Sequence, residues 1–206
     1  MTGLAFHIDV SSCSGCKACQ LACKDAHGLE AGRLWRRVVE VEGGEWTRKG
    51  NAWCSTVFAY TISLSCMHCE RPACMTSCPT QAIVKRADGV VAVDGGACIG
   101  CRYCGWACPY GAPQFDAATG TMSKCDFCAD ERDAGRPPAC VSACPLRALD
   151  WGPIDQLQAR HGTLAQLPPL PDGAQTGATV VISPPARMSP LSPDCVQLAN
   201  DEEILR

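Results

Sequence analysis

The chain has 206 residues, 18 of which are cysteines, and a formal net charge of −3. This charge argues against binding of nucleic acid through a basic surface. No apolar run approaches the roughly 18 to 20 residues that span a bilayer. The N-terminal segment MTGLAFHIDVSSC has neither a basic region nor an apolar stretch, so we expect no secretory signal. Closely spaced C-x2-C pairs in a chain made in a reducing compartment favour metal binding over disulfides.

Short strands and helices are predicted along the chain. Alternating apolar residues indicate the strands, and Asp88-Gly89 is a typical hairpin turn. The longest predicted helix has Pro153 at its start and Gly162 after its end. Each C-x3-C segment is expected to open a further short helix. The predicted elements are strands at 5–10, 36–42 and 55–64, a hairpin at 82–94 and a helix at 153–161.

Four cysteine clusters lie between these elements. The first and third share the spacing C-x2-C-x2-C-x3-C, whereas the second and fourth share C-x2-C, a spacer with Arg and Pro, and then C-x3-C-P. This repetition indicates an internal duplication. The clusters are Cys13, Cys16, Cys19 and Cys23; Cys66, Cys69, Cys74 and Cys78; Cys98, Cys101, Cys104 and Cys108; and Cys125, Cys128, Cys140 and Cys144.

The spacing predicts cubane iron-sulfur centres with exchanged ligands. In two-cluster ferredoxins the last cysteine of each C-x2-C-x2-C-x3-C-P run ligates the other cluster. The second and third runs are separated by little more than the hairpin, so they form one unit. The first and fourth runs are left to form the other unit, with the strand near Leu149 beside the strand near Phe6. Loop backbone N–H groups are expected to turn toward the sulfurs.

The fold class that follows is α+β, with two pseudo-symmetric ferredoxin-like bicluster units. One unit is discontinuous and spans 1–60 and 112–160, and the other spans 61–111. Four 4Fe-4S clusters are predicted. Their ligands are Cys13, Cys16, Cys19 and Cys144; Cys23, Cys125, Cys128 and Cys140; Cys66, Cys69, Cys74 and Cys108; and Cys78, Cys98, Cys101 and Cys104.

Structural zinc is the main alternative, because paired C-x2-C knuckles also build zinc ribbons. The third thiol at x2, the fourth at x3 and the following prolines favour clusters. Cys54 is expected to be a small buried apolar residue, Cys195 a free thiol, and His68 either a donor to a cluster sulfur or a plain loop residue. Basic residues beside the cysteines are expected to offset cluster charge or to be solvated. They are Lys17, Arg71, Arg102, Lys124 and Arg147.

The C-terminal part of the chain has a different character. From Gly162 onward prolines are frequent and periodicity is weak, so residues 161–206 are expected to form a long extended arm on a partner, with a disordered tail as the alternative. The arm contains no assigned ligand. Its removal from Gly173 onward is therefore expected to leave the metal centres intact and to weaken retention by the partner.

The chain shows no Ser/His/Asp set, phosphate loop or dinucleotide fingerprint, so it is predicted to transfer electrons without a catalytic site of its own. The runs CIGCRYCGWACPYGAPQF, SGCKACQLACKD, VFAYTISLSCMHCERPAC and CPLRALDWGPIDQLQARHG resemble the four-cluster ferredoxin-type subunits of the dimethyl sulfoxide reductase (molybdopterin oxidoreductase) family. The resemblance extends nearly end to end.

The resemblance implies a complex of this chain with a molybdopterin catalytic subunit and a membrane anchor that oxidises quinol. The centre that includes Cys144 would face the catalytic subunit, and the centre that includes Cys104 would face the quinol site. Family members are exported folded on a partner's twin-arginine signal, which implies a peripheral position on the periplasmic face of the cytoplasmic membrane, with the cytoplasmic face as the alternative. The resemblance implies that the complex reduces dimethyl sulfoxide or a related S- or N-oxide. The alternatives are a thiosulfate, polysulfide, tetrathionate, selenate or formate enzyme, or a soluble polyferredoxin.

Overall fold

The chain folds into small sheets and short helices. The computed structural model describes residues 3–185 and 196–204. The strands in these ranges are β1 (Leu4–Asp9), β2 (Arg37–Gly43), β3 (Trp46–Lys49), β4 (Ala52–Ser55), β5 (Phe58–Leu64), β6 (Ile83–Lys85), β7 (Val91–Val93), β8 (Gln114–Asp116), β9 (Thr121–Ser123), β10 (Leu149–Pro153), β11 (Val180–Ser183) and β12 (Val196–Leu198). The helices are α1 (Ala18–Ala26), α2 (Ala73–Thr76), α3 (Tyr103–Ala107), α4 (Ala129–Asp133), α5 (Ala139–Ser142), α6 (Ile154–His161) and α7 (Asp201–Ile204), with a 3-10 turn at Gly173–Gln175.

Strand β1 is the middle strand of a sheet that joins distant parts of the chain. β10 pairs with β1 in antiparallel orientation, with Phe6 opposite Trp151 and Ile8 opposite Leu149. β11 pairs with the other edge of β1 in parallel orientation, with Ile8 opposite Ile182. The predicted adjacency of the strands near Phe6 and Leu149 is therefore confirmed.

Both faces of this sheet are buried. On one face, Leu157 of α6 packs with Ala5 and Val181. On the other face, Phe6 and Ile8 belong to the main core. Successive side chains of a strand point to opposite faces, so covering on both sides buries consecutive residues of β1, including His7. The predicted helix at 153–161 is confirmed as α6.

A second sheet has the order β12-β2-β5. β2 and β5 pair in antiparallel orientation, with Val41 opposite Tyr60, and β12 adds to β2 with Leu198 opposite Val41. The apolar side chains Val38 and Ile62 point into the main core. The strand predicted at 36–42 is confirmed, and the one predicted at 55–64 is shorter, because β4 and β3 form a separate hairpin before it.

The predicted hairpin at 82–94 is confirmed as β6 and β7. Its turn touches the start of β1, where the N–H of Leu4 donates to the carbonyl of Asp88 at 2.9 Å. Gly89 has a φ of 82°, and a Cβ at this position would lie 2.8 Å from the Cα of Gly3. Glycine is therefore required at position 89, because of its positive φ and because a Cβ would clash with Gly3. The turn also holds the second and third cysteine clusters against β1.

The short helices repeat one local design. α1 packs on α5, and α2 packs on α3. α1 and α3 each follow a left-handed residue, Lys17 and Arg102, whereas α2 and α5 each follow a proline, Pro72 and Pro138. The predicted helices at the C-x3-C segments are confirmed, and the division of the chain at the stated domain boundaries stays a prediction. No helix in the described ranges is long and apolar enough to cross a membrane.

The C-terminal arm corrects a sequence-based expectation, because its described residues pack on their own chain. Val181 and Ile182 of β11 are fully buried, and the N–H of Thr179 donates to the carbonyl of Met67 at 3.0 Å. The carbonyl of Gly177 accepts from the N–H of Glu70 at 2.7 Å. β11 is too short, and too uniformly apolar, to show the alternation of apolar and polar residues that would predict a strand. Loss of the arm would therefore uncover the core, contrary to the expectation that its removal leaves the metal centres intact.

Candidate metal centres

The first C-x2-C pair of each cluster contains a left-handed residue. The residue before the second cysteine of these four pairs has a positive φ, namely Gly15 at 71°, His68 at 42°, Gly100 at 67° and Phe127 at 68°. Turns of this kind gather backbone N–H groups into a concave nest that favours anionic groups. At Gly100 the fit is tight, because an added Cβ would lie 2.2 Å from the carbonyl oxygen of Gly120.

Two of the four predicted ligand sets line cavities. One cavity encloses about 370 Å³ of space between atoms, and the other encloses about 330 Å³. Prolines at the C-x3-C-P turns, Pro145 and Pro109, close one wall of each cavity. The cysteines that line the first cavity are Cys13, Cys16, Cys19 and Cys144. Those that line the second cavity are Cys66, Cys69, Cys74 and Cys108.

The other two predicted sets are brought together as well. The thiol of Cys104 interacts electrostatically with those of Cys98, Cys101 and Cys78. In the remaining set, the thiol of Cys23 interacts with those of Cys140 and Cys128, and the thiol of Cys125 interacts with those of Cys23 and Cys140. The structure thus groups the cysteines as the spacing predicted, while their assignment as ligands stays a prediction.

Neighbouring sets also lie near enough to influence one another electrostatically. The thiol of Cys19 interacts with that of Cys140 in the next set, and the thiol of Cys125 interacts with that of Cys66 in the set after it. Helix α2 carries Cys74 of that third set and is followed by Cys78 of the fourth. The four sets therefore follow one another in a row.

Backbone N–H groups point to several thiols, as the sequence predicted. Each C-P turn folds back so that the N–H four residues later donates to the cysteine sulfur, from Ala112 to Cys108 at 3.5 Å and from Ala148 to Cys144 at 3.3 Å. Further N–H donors approach Cys66 and Cys98 at 3.4 and 3.3 Å. Hydrogen bonds to sulfur raise the reduction potential of an iron-sulfur centre, so these loops suit a cluster that becomes more negative on reduction.

Several of the buried thiols need a nearby cation to ionise near neutral pH. Burial raises the pKa of Cys23 and of Cys74 to about 12, and it raises the pKa of Cys104 and of Cys128 to about 11. The thiolate is the form that binds metal, and a coordinated thiol is deprotonated outright. Four sulfurs around a cavity, with inward N–H groups, fit an iron-sulfur cubane in donor chemistry. Every cysteine in the described ranges is a free thiol.

Two buried cations lie among the cysteine sets. Arg36 is 1% exposed and Lys124 is 3% exposed, and the described residues offer no carboxylate within ion-pair distance of either. Lys124 Nζ donates to the carbonyl of Val91 and, at 3.1 Å, to that of Cys125. Burial alone would lower the pKa of Arg36, but neighbouring cysteine thiolates raise it. An anionic group inside the fold would balance both charges, which is a further point of fit for the clusters.

The sequence analysis identified Lys124 and missed Arg36. Arg36 opens the apolar run of β2 and carried no signal of its own, since a residue before a strand is usually exposed. The other basic residues proposed to offset cluster charge are closer to the surface: Lys17 pairs with Glu40 at 3.2 Å, and Arg102 lies over the ring of Phe115 at 3.8 Å.

Two histidines lie beside the cysteine sets. His68, predicted either as a sulfur donor or as a loop residue, is buried, and its Nδ1 accepts from the N–H of Val91 at 3.1 Å. Burial holds the pKa of His68 well below its usual value, so the ring is neutral and its proton lies on Nε2, which has no partner among the described residues. His27, which the sequence analysis missed, places Nε2 3.2 Å from the sulfur of Cys128.

The remaining cysteines are placed differently from the predicted ligands. Cys54 lies in the hairpin of β3 and β4, opposite Thr47. It is half-buried, so the expectation of a buried core residue is wrong, because this hairpin stands apart from the two larger sheets. Cys195 lies outside the described residues.

Comparisons with known proteins agree with this arrangement. A family model described as a 4Fe-4S dicluster domain matches residues 57–154. The B subunit of anaerobic dimethyl sulfoxide reductase from Escherichia coli is 50% identical over 203 residues, which are 98% of this chain and 99% of that protein. The same-named subunit of Haemophilus influenzae is 48% identical over 185 residues, 89% of this chain and 90% of that protein.

A thiosulfate reductase electron transfer subunit from Salmonella typhi is 41% identical over 154 residues, 74% of this chain and 77% of that protein. The predicted α+β ferredoxin-type fold and the predicted iron-sulfur character are confirmed. This protein belongs to the family of iron-sulfur electron-transfer subunits represented by the B subunit of anaerobic dimethyl sulfoxide reductase.

Proposed function

We propose that the chain holds four 4Fe-4S clusters and relays electrons from a quinol-oxidising membrane anchor to a molybdopterin catalytic subunit. The substrate that this catalytic subunit reduces is dimethyl sulfoxide or a related S- or N-oxide. The observation that carries the proposal is the succession of four cysteine sets, in which Cys19 interacts electrostatically with Cys140, Cys125 interacts with Cys66, and helix α2 joins the third set to the fourth. Bound clusters would supply one-electron redox chemistry, and the chain supplies four sites in sequence together with a cover against solvent.

The ligand sets proposed are the four that the structure groups together. Each takes three thiols from one sequence motif and the fourth from its pseudo-symmetric partner, which ties the two motifs of a unit together. The sets in order along the row are Cys13, Cys16, Cys19 and Cys144; Cys23, Cys125, Cys128 and Cys140; Cys66, Cys69, Cys74 and Cys108; and Cys78, Cys98, Cys101 and Cys104.

The two ends of the row differ in their surroundings. Cys16, at one end, is exposed, which suits electron delivery across an interface to the catalytic subunit. At the other end the large apolar side chains of Ile99, Tyr103 and Trp106 are exposed. Exposed apolar surface of this kind marks protein or membrane contact, and it supports a contact of this end with the anchor subunit.

The proposed location is the periplasmic face of the cytoplasmic membrane, where the chain is peripheral and depends on its partners. Folded export with a partner that carries a twin-arginine signal would deliver it there, and the cytoplasmic face is the alternative. Fractionation of cells with and without the partner's signal distinguishes the two locations. Loss of the chain from the periplasmic side when the signal is removed supports co-export.

A second candidate is the same electron relay in a thiosulfate-reducing complex, which the similarity to the thiosulfate reductase subunit favours. The identity to dimethyl sulfoxide reductase subunits is higher and covers more of the chain, so that substrate class is preferred. The subunit that copurifies with the chain, its molybdenum content and the substrate that reoxidises the reduced complex decide between the two.

Metal analysis of anaerobically purified protein tests the clusters themselves. We expect brown protein with about 16 iron and about 16 acid-labile sulfide per chain, from four cubanes. About four zinc ions per chain with negligible sulfide would refute the proposal in favour of a zinc-stabilised module. A stable iron-loaded chain with no copurifying subunit would instead support a soluble polyferredoxin.

A further inference from the structure

Arg36 is a fully enclosed cation whose guanidinium donates only to neutral groups among the described residues. Its Nη1 donates to the carbonyl and the hydroxyl of Ser63 at 3.0 and 3.1 Å, and its Nη2 donates to the hydroxyl of Ser65 at 3.0 Å. Its guanidinium carbon lies 4.5 Å from the centre of the Phe6 ring. No carboxylate of the described residues pairs with it, so these residues leave the buried charge uncompensated, which is strongly unfavourable.

Arg36 interacts electrostatically with cysteines of two adjacent sets. Cys140, Cys125 and Cys23 belong to the second set in the row, and Cys19 belongs to the first. The hydroxyl of Ser63, which Arg36 holds, also lies 3.1 Å from the sulfur of Cys19. Arg36 therefore lies where the first two proposed centres approach each other, with most of its neighbours on the second.

We propose that Arg36 is a positioning residue for electron transfer, whose fixed charge raises the reduction potential of the centre at Cys23, Cys125, Cys128 and Cys140, and to a smaller extent that of the centre at Cys13, Cys16, Cys19 and Cys144. This inference rests on the proposed function, since it requires iron-sulfur centres in these sets. Reduction adds one negative charge to a centre. A cation held nearby and out of water stabilises the reduced form more than the oxidised form.

Arg37, the next residue along the chain, interacts with a different cysteine set. Arg37 donates to the carbonyl of Tyr110 at 2.5 Å and interacts with the thiol of Cys108 in the third set. Successive side chains along an extended segment point to opposite sides. The two adjacent arginines therefore interact with different cysteine sets, Arg36 with the first two and Arg37 with the third. The structure thus assigns the charge of Arg36 to the first two centres.

Redox titration of the purified complex, monitored by EPR, tests the assignment in Arg36→Met and Arg36→Lys variants. In Arg36→Met we expect one step to shift so that its reduced-to-oxidised ratio at fixed potential falls at least tenfold, which is about 59 mV for one electron. The shift should be the same at pH values of about 6 and about 8, since a guanidinium does not titrate there. Cys128→Ser should alter the same step, which identifies the centre.

Two controls separate charge from structure. Arg36→Lys keeps the charge at about pH 6, where the anionic centre favours a protonated ammonium against the effect of burial, and at that pH it should leave the ratio within about threefold of the unmodified protein. Arg136→Met removes an exposed charge, paired with Glu131 at 2.6 Å, close in sequence to Cys140, and should shift nothing because solvent screens it. Iron and sulfide per chain are measured for every variant.

Two results would overturn the inference. One is an iron-loaded Arg36→Met protein whose titration is unchanged, and the other is an Arg36→Lys protein that shifts as far as Arg36→Met. If Arg36→Met loses iron, the lysine variant decides: retained iron and potential support the role of charge, whereas loss of iron in Arg36→Lys refutes it. Absence of iron and sulfide from the unmodified protein would instead refute the proposed function itself.

Discussion

Removal of strand β11 should destabilise the iron-sulfur protein rather than merely weaken its hold on a partner. A chain that ends at Asp172 lacks Val180, Val181 and Ile182, all of which are buried. Burial of such side chains contributes about 1.5 to 3 kcal/mol each, or roughly 6 kcal/mol together. The net stability of a domain is about 5 to 15 kcal/mol, so this loss is a large fraction of the whole.

The assay is iron and sulfide per chain, together with anaerobic thermal unfolding. For the chain that ends at Asp172 we expect loss of most iron. A chain that ends at Pro185 is the matched control, because it keeps β11 and loses β12 and the two hydrogen bonds that Asn200 makes with β2 at 2.8 and 2.9 Å. Those bonds are worth about 1 kcal/mol each, so the control should keep its iron.

A graded variant distinguishes packing from chain length. Ile182→Ala leaves the strand in place and should lower the free energy of unfolding by about 2 to 5 kcal/mol. The reasoning would be refuted if the chain that ends at Asp172 kept full iron content and unfolded at the temperature of the complete chain. The arm would then be dispensable for the metal centres, as its sequence alone suggests.

Three further outcomes follow from the site. Cys104→Ser should convert its centre to a 3Fe-4S form with a new EPR signal in the oxidised state and a higher reduction potential, about 30 mV for each 0.7 kcal/mol. Quinol-linked reduction should then fail, while a small reduced dye should still support turnover. Cys54→Ser is the control and should cause neither change, and full quinol-linked activity in Cys104→Ser would contradict the ligand assignment. Gly100→Ala should remove iron from the centre that includes Cys98 and Cys101, because the new Cβ would meet the carbonyl oxygen of Gly120. Gly120→Ala, with open space around its Cβ position, should retain the iron. Equal iron content in both variants would show that the close approach of Gly100 to Gly120 does not matter. His27→Phe should lower the potential of the centre beside it, because a donor to sulfur is lost, and an unchanged titration of an iron-loaded variant would count against that contact.

The cysteine spacing predicted the grouping of the thiols because ligation leaves a mark in local sequence. The x2 and x3 intervals and the following proline are short-range signals, and the hairpin between the second and third clusters fixes which runs are neighbours. The pairing of the strands near Phe6 and Leu149 then followed by elimination. The structure bears out that pairing.

Features without a local signal were missed. β11 pairs with β1, although most of the chain separates the two strands in sequence. Its apolar run is too short to distinguish a buried strand from a linker. Arg36 looks like any other basic residue before a strand, and its burial depends on Ser63, Ser65 and Phe6, which are distant in sequence. Long-range enclosure of this kind is set by tertiary packing, which propensity and spacing do not encode.

The position of β1 between β10 and β11 sets the order of assembly. A polypeptide leaves the ribosome with its N-terminus first, so Cys13, Cys16 and Cys19 emerge long before Cys144 and before the strand that closes the sheet over Ile8. The proposed sets within 66–108 close a much shorter loop and have all their ligands early. Iron is therefore expected to enter the middle of the polypeptide first, and the centre at the N-terminal motif, although its first three ligands are made earliest, is the last that can be completed.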